Sequence, residues 1–157
     1  MPNILLTRID NRLIHGQVGV TWLNHLGANL VLVANDEVAE DEVRQNLMDM
    51  VLPESTETRF FTLQRTIDVI HNAADRQKIF LVVETPQDVL TLVKGGVPIK
   101  EVNIGNMHYE EGKEQISTTV SVTEDDKKVF KELNKLGVKL DLRRVPDEKG
   151  QNILDLL

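Results

Sequence analysis

Apolar, β-branched runs alternate with helix-patterned segments along this chain, and that alternation limits its fold more than any other feature. The run NILLTRI (3–9) reads as a buried strand. Ile14, Val18, Trp22 and Leu26 then recur every four residues, which predicts a helix with one apolar face and Gly27 as its C-cap. ANLVLVAN (28–35) is a second strand. Residues 36–53 follow as a helix with Asp36, Glu37, Glu40, Asp41 and Glu42 at its start, where negative charge suits the dipole. Its inward face is expected at Val43, Leu47, Met50 and Val51, and Pro53 stops it.

The rhythm continues to the end of the chain. ETRFFTL is a short strand, and Leu63, Ile67, Ile70 and Ala74 are spaced as on a helix. QKIFLVVE (77–84) is the most strand-like segment, followed by Thr85 as N-cap, Pro86 at the first helical position and Gly95-Gly96 at the close. KEVNIGNMH (100–108) is a strand running into a glycine loop, and EQISTTVSV a further, partly polar strand. A capping motif from Thr123 to Asp126 opens a helix expected to bury Val129, Leu133 and Leu136. VKLDLRRVP (138–146) alternates as an edge strand would, and NILDLL reads as a last helical turn or a docking segment. Such alternation implies an α/β fold: a parallel sheet covered by helices on both faces. Ligands of open sheets of this kind sit beyond the carboxyl ends of the strands, where strand order reverses.

Composition narrows the function. The 157 residues suit one globular domain, and no apolar stretch is long enough to span a bilayer. No secretion signal opens the sequence, so a cytoplasmic protein is expected. The absence of cysteine removes disulfides, thiolate metal sites and a cysteine nucleophile. A net charge of −7 with 4% aromatic residues argues against a nucleic-acid partner.

The segment RIDNRLIHGQV (8–18) is more polar than a strand-to-helix turn requires. His15 falls at or just before a helix start, where unpaired N–H groups and the unobstructed backbone of Gly16 favour an anion. Arg8 and Arg12 add fork-shaped donors suited to phosphate oxygens. Asp10 can accept from one imidazole nitrogen or from an arginine, turning the other nitrogen outward. Together these groups describe an imidazole nucleophile in a phosphate cradle. The plainer reading also stands at this point: Asp10 or Asn11 caps a turn, the arginines form surface ion pairs, and His15 is a bystander. Neither GxxxxGK[ST] nor GxGxxG occurs in the loop, so a nucleotide site is unsupported.

Other positions carry less. His25 suits a helix C-terminus, His71 a helix surface, and His108 a place bordering the cleft of His15. No histidine pair has metal-ligand spacing, so neither a metal nor another cofactor is expected. NIGNM (103–107), with Gly105 and Asn106, reads as a second wall of the phosphate site or as an ordinary strand exit. The hydroxyl of Thr85 suits a helix cap first and a phosphate donor second.

RIDNRLIHGQVGVTWL resembles the signature of the IIB subunits of the bacterial phosphoenolpyruvate-dependent sugar phosphotransferase system, mannose/sorbose family. The matching positions are Arg8, Asp10, Arg12, Leu13, Ile14, His15, Gly16, Gln17, Val18 and Trp22, and FLVVET, NIGNMH and LGVKLDLRRVP extend the likeness along the chain. The resemblance implies one three-layer α/β/α domain over residues 1–157, with a mainly parallel sheet of about seven strands and an antiparallel edge strand. It implies transfer of a phosphoryl group from a phosphohistidine of a IIA protein to Nδ1 of His15, and then to a sugar held by membrane IIC and IID subunits. Arg12 and the helix-start amides of Gly16 and Gln17 would hold the phosphoryl oxygens, with Arg8, Thr85 and Asn106 as further contacts and Asp10 as orienter. The lack of cysteine agrees, because glucose- and fructose-type IIB proteins use one. Among the sugars of the family, the overall look leans to the amino-sugar branch, N-acetylgalactosamine included. Self-association as a homodimer is left open. Two other classes compete: a phosphorylatable regulatory module that senses sugar flux, and an anion-binding domain without covalent chemistry.

Overall fold

The computed structural model describes all 157 residues. Seven strands form one sheet in the order β3-β2-β4-β1-β5-β8-β9. They are β1 (Asn3–Asp10), β2 (Leu30–Ala34), β3 (Glu57–Phe61), β4 (Lys78–Val83), β5 (Glu101–Asn106), β8 (Lys139–Leu142) and β9 (Gln151–Asn152). All neighbours pair in parallel except β8 and β9. A separate antiparallel pair, β6 (Glu114–Gln115) and β7 (Ser121–Val122), lies outside it. The chain leaves β1 towards β2 on one side, returns to β4, and crosses β1 to reach β5 on the other. The carboxyl end of β1, at Asp10, is therefore where strand order reverses.

Helices cover both faces. α3 (Leu63–Val69), α4 (Pro86–Lys94) and α5 (Glu124–Lys135) pack Val89, Leu92, Phe130 and Leu133 against Leu81, Val83, Val102 and Ile104. On the other face, α1 (Gly16–Leu26) and α2 (Glu42–Met50) bring Trp22, Leu23 and Met48 against Leu6, Val31, Val33 and Phe80. The three-layer architecture and its mainly parallel sheet agree with the sequence reading, as do most helix signals. Gly27 ends α1 in a left-handed conformation, Thr85 caps α4 with Pro86 next to it, and Thr123 with Asp126 forms a complete capping box on α5.

Four expectations need correcting. Residues 36–53 are not one helix: a 3-10 turn at Val38–Glu40 ends at Asp41, whose side chain accepts from the Arg44 N–H and starts α2 afresh. This break resets the helical phase, so Met48 and Leu52 are buried while Val43, Leu47, Met50 and Val51 face outward. The segment 114–122 contributes the short β6–β7 pair and a single parallel bridge from Val120 to Met107, just past β5, but no strand of the main sheet. Residues 138–146 hold β8, which is covered by β9 and is not the edge. In α5, Phe130 is buried where Leu136 was expected, because Leu136 caps the helix end and is half exposed. The closing NILDLL forms a 3-10 turn over Ile153–Leu156.

Candidate functional site

The loop between β1 and α1 is held from several directions. The Asn11 N–H donates to the carbonyl of Asn106 at 3.0 Å, tying it to the end of β5. The Leu13 N–H donates to the Asp10 carbonyl at 2.9 Å, and the Arg12 N–H donates to Asp10 Oδ1, also at 2.9 Å. Leu13 takes a left-handed φ of 62°, costly for a branched side chain, and is kept there by burial of that side chain among the apolar residues under α1 and α2. Gly16 follows with φ 52°, a conformation that a side chain would strain.

His15 stands at the N-cap of α1 in extended backbone, φ −150° and ψ 145°. Its side chain makes no cap hydrogen bond, and the first turn of α1 holds no acidic residue. The N–H groups of that turn are thus left for an anion, with the positive end of the helix dipole behind them. The imidazole is about one third exposed, and its Nε2 lies 3.6 Å from Asp10 Oδ2. That places Nε2 on the protein side and leaves Nδ1 for the outer side.

Behind Asp10 is a buried polar cluster. Asp10 is 1% exposed, and its Oδ2 accepts from Arg8 Nη2 at 3.2 Å. Arg8 Nη1 donates to Asn103 Oδ1 at 2.6 Å and to the Arg144 carbonyl at 3.1 Å. The Arg8 guanidinium also lies 5.7 Å from the centre of the Trp22 ring, whose Nε1 donates to the same Arg144 carbonyl. Burial pulls the Arg8 pKa below the usual arginine range, while the charge of Asp10 and its hydrogen bond act in the opposite sense. Arg8 thus points into the protein and holds Asp10; it does not line the open side. Gly105 has a related explanation. It is neither a tight turn nor a second wall, because it lies within β5 and a Cβ there would fall on the Arg8 guanidinium.

The open side has the opposite character. Arg12 is exposed and its guanidinium has no partner within the chain. With His15, Gly16, Arg44, Leu47 and Val51 it borders an open hollow of about 290 Å³. Thr85 and His108 instead line a smaller hollow of about 90 Å³ with Asn11, Glu84, Lys113 and Asp126. The Thr85 hydroxyl accepts from the Asp88 N–H, so it serves as the helix cap. His108 bonds to Glu110, and His71 to the Gly96 carbonyl, both at exposed positions. His25 lies in the last turn of α1 with its ring edge-on to Trp22. Asn106, half buried, is the register partner of Asp10, and Gln17 is exposed in the first turn of α1.

Sequence reasoning missed Asn103 and Arg44, and placed the apolar side of α2 inward where the structure exposes it. A polar residue inside the apolar run VNIG, in register opposite Arg8, was the signal for Asn103. Arg44 carried no such signal, because the phase of α2 depends on the break at Asp41.

The sequence model of the family described as "PTS system sorbose subfamily IIB component" matches residues 4–157. This chain belongs to that family. The IIB chain is 61% identical over 157 residues to the N-acetylgalactosamine-specific phosphotransferase enzyme IIB component 2 of Escherichia coli K12, covering all of both proteins. The crystal structure of a PTS-dependent N-acetylgalactosamine IIB component from Streptococcus pyogenes superposes with a TM-score of 0.95 at 43% identity, over 100% of this chain and 99% of that one. IIB component 1 from Escherichia coli gives 0.92 at 50% identity, over 95% and 98%. As a IIB component the protein is a phosphocarrier, a phosphotransferase of sugar uptake that works with IIA and membrane IIC and IID components. No helix in it is long and apolar enough to cross a membrane.

Proposed function

We propose that His15 is the phosphoryl carrier of this IIB component, and that it receives the group on Nδ1. The observation that carries this reading is the approach of Nε2 to buried Asp10, 3.6 Å away, which leaves Nδ1 as the ring nitrogen not turned to that carboxylate, in a side chain that borders the same hollow as Arg12. In the first step the P–N bond of the donor's phosphohistidine breaks as a P–N bond forms at Nδ1. In the second, that bond breaks, the phosphorus bonds to a sugar hydroxyl, and the hydroxyl loses its proton. Both steps pass through a loose transition state with charge spread over three oxygens, so positioned donors supply most of the stabilisation. Arg12 and the N–H groups of Gly16 and Gln17 are those donors. Arg8 and Asn103 act through Asp10, as positioning residues. Asn106 acts through its carbonyl, which holds the loop, and Thr85 caps α4 instead of meeting phosphate.

His15 must present an unprotonated nitrogen to accept the group. The names of the similar proteins support N-acetylgalactosamine as the sugar. The chain acts as one domain over residues 1–157, on the cytoplasmic face of the membrane beside IIC and IID. The test is incubation with phosphoenolpyruvate, the general phosphotransferase proteins and cognate IIA, followed by mass-spectrometric mapping of acid-labile phosphate. Label on His15 alone is expected. Label on His25, His71 or His108, or no label, would overturn the assignment.

A further inference from the structure

Large apolar side chains exposed to water are few in this protein, and they are not scattered. Of the seven, four lie on α2 or its C-cap: Val43 (69% exposed), Leu47 (60%), Met50 (78%) and Val51 (38%). Residues at these spacings share one side of a helix, so the four form a stripe and not isolated exposures. Nothing in the fold covers it. The stripe also runs into the reaction site, because Leu47 and Val51 border the same hollow as His15 and Arg12. Arg44, beside the stripe, borders it as well, and its ion pair with Glu37 is long at 3.9 Å between exposed side chains.

We propose that this apolar side of α2, with Arg12 and Arg44 at its margin, is the docking surface for the protein that donates the phosphoryl group to His15. The proposal rests on the carrier role of His15 given above. Two macromolecules must approach His15 in turn, and charge separates them. A donor bearing a phosphohistidine brings negative charge to the contact, which the two arginines attract although the IIB chain as a whole carries −7. The cytoplasmic loops of a membrane protein carry an excess of Lys and Arg, which the same arginines repel. The positive charge lies at the margin of the stripe nearest His15, while the exposed Glu42 and Asp49 lie elsewhere on α2, so an anionic donor is drawn to the His15 end. An apolar centre with a polar rim is the usual anatomy of a protein interface. Placing it one helix away from the nucleophile lets docking and alignment of the two histidines occur together.

The test replaces both of the most exposed side chains, Val43→Gln with Met50→Gln, neither of which borders the hollow. Phosphoryl transfer is measured from phosphorylated cognate IIA and, separately, from phosphoramidate, a small donor that needs no docking. The expected result is a KM for phosphorylated IIA raised about tenfold or more, with kcat and phosphoramidate labelling retained. Leu136→Glu, an exposed apolar position at the end of α5, should leave both unchanged. If the double variant melts at a lower temperature than the parent, Met50→Gln alone carries the comparison, with a KM rise of a few fold.

An unchanged KM overturns the proposal. So does a variant that accepts from IIA normally but fails to pass the group to sugar on vesicles containing IIC and IID, which would assign α2 to the membrane partner. Sedimentation of the parent as a dimer that the substitutions dissociate would assign it to a second copy, and also overturns it. Failure of the parent to take label on His15 from either donor overturns the carrier reading itself, and is recognised without any variant.

Discussion

The inner and outer sides of His15 are built from the same residue types in opposite states. On the inner side, Arg8 is 3% exposed and every visible bond of its guanidinium goes to the protein: Asp10, Asn103 and the Arg144 carbonyl. On the outer side, Arg12 is exposed and unpartnered, at the rim of an open hollow. Two arginines four residues apart, one near the end of β1 and one in the loop that follows it, therefore do different work. The buried one is committed to holding a carboxylate, and through it a ring orientation. The free one keeps its donors for an incoming anion. An arginine already satisfied by protein has little left for a phosphoryl group, so a cradle needs the second, uncommitted one.

Predictions that separate the two sides can be ranked by size. Arg12→Ala should lower kcat for phosphoryl transfer by about 10²–10³, the cost of losing one positioned donor to the transition state. Its melting temperature should stay close to that of the parent, and normal transfer would break the division between the two arginines. Arg8→Ala should act first on stability, by roughly 3–5 kcal/mol in chemical denaturation, because it strands the buried Asp10 carboxylate. A stable Arg8→Ala protein with defective transfer would instead place Arg8 on the outer side.

Gly105→Ala sharpens the comparison from a distance. Its methyl would meet the Arg8 guanidinium and should cost about 1–3 kcal/mol, with transfer slowed through displaced Asp10. The smallest effect expected is at Asp88, beyond the site. Burial pushes its carboxyl up to about 6, with Glu84 and Asp36 adding to the rise and hydrogen bonds to Thr85 opposing it. The folded protein therefore retains this proton where an unfolded chain, at 3.8, has released it. The group favours folding below about pH 4, and this contribution is lost as pH rises through 6. Denaturation of Asp88→Asn at pH 4 and pH 7 should show a smaller difference between the two than the parent does.

The sheet, the caps of α1, α4 and α5, and the place of His15 at a helix start were readable because each depends on residues close in sequence. The parts that were not readable depend on distant or cancelling signals. Gly105 looked like a turn glycine, yet its reason is the Arg8 side chain of another strand. The segment before α2 shows a continuous helical pattern with no glycine or proline, and only the capping of Arg44 by Asp41 breaks it. That break turned the expected core face of α2 outward, and with it the apolar stripe beside the site. Two-residue strands such as β9 carry too few positions for a period to be seen.

The orientation of His15 links both sides, so the phosphorylated nitrogen tests the account most directly. Nitrogen-15 NMR of the phosphorylated protein labelled in its histidines distinguishes the two ring positions. The account predicts phosphate on Nδ1 of His15, with Nε2 protonated towards Asp10. Phosphate on Nε2 of His15, the nitrogen facing Asp10, would contradict it.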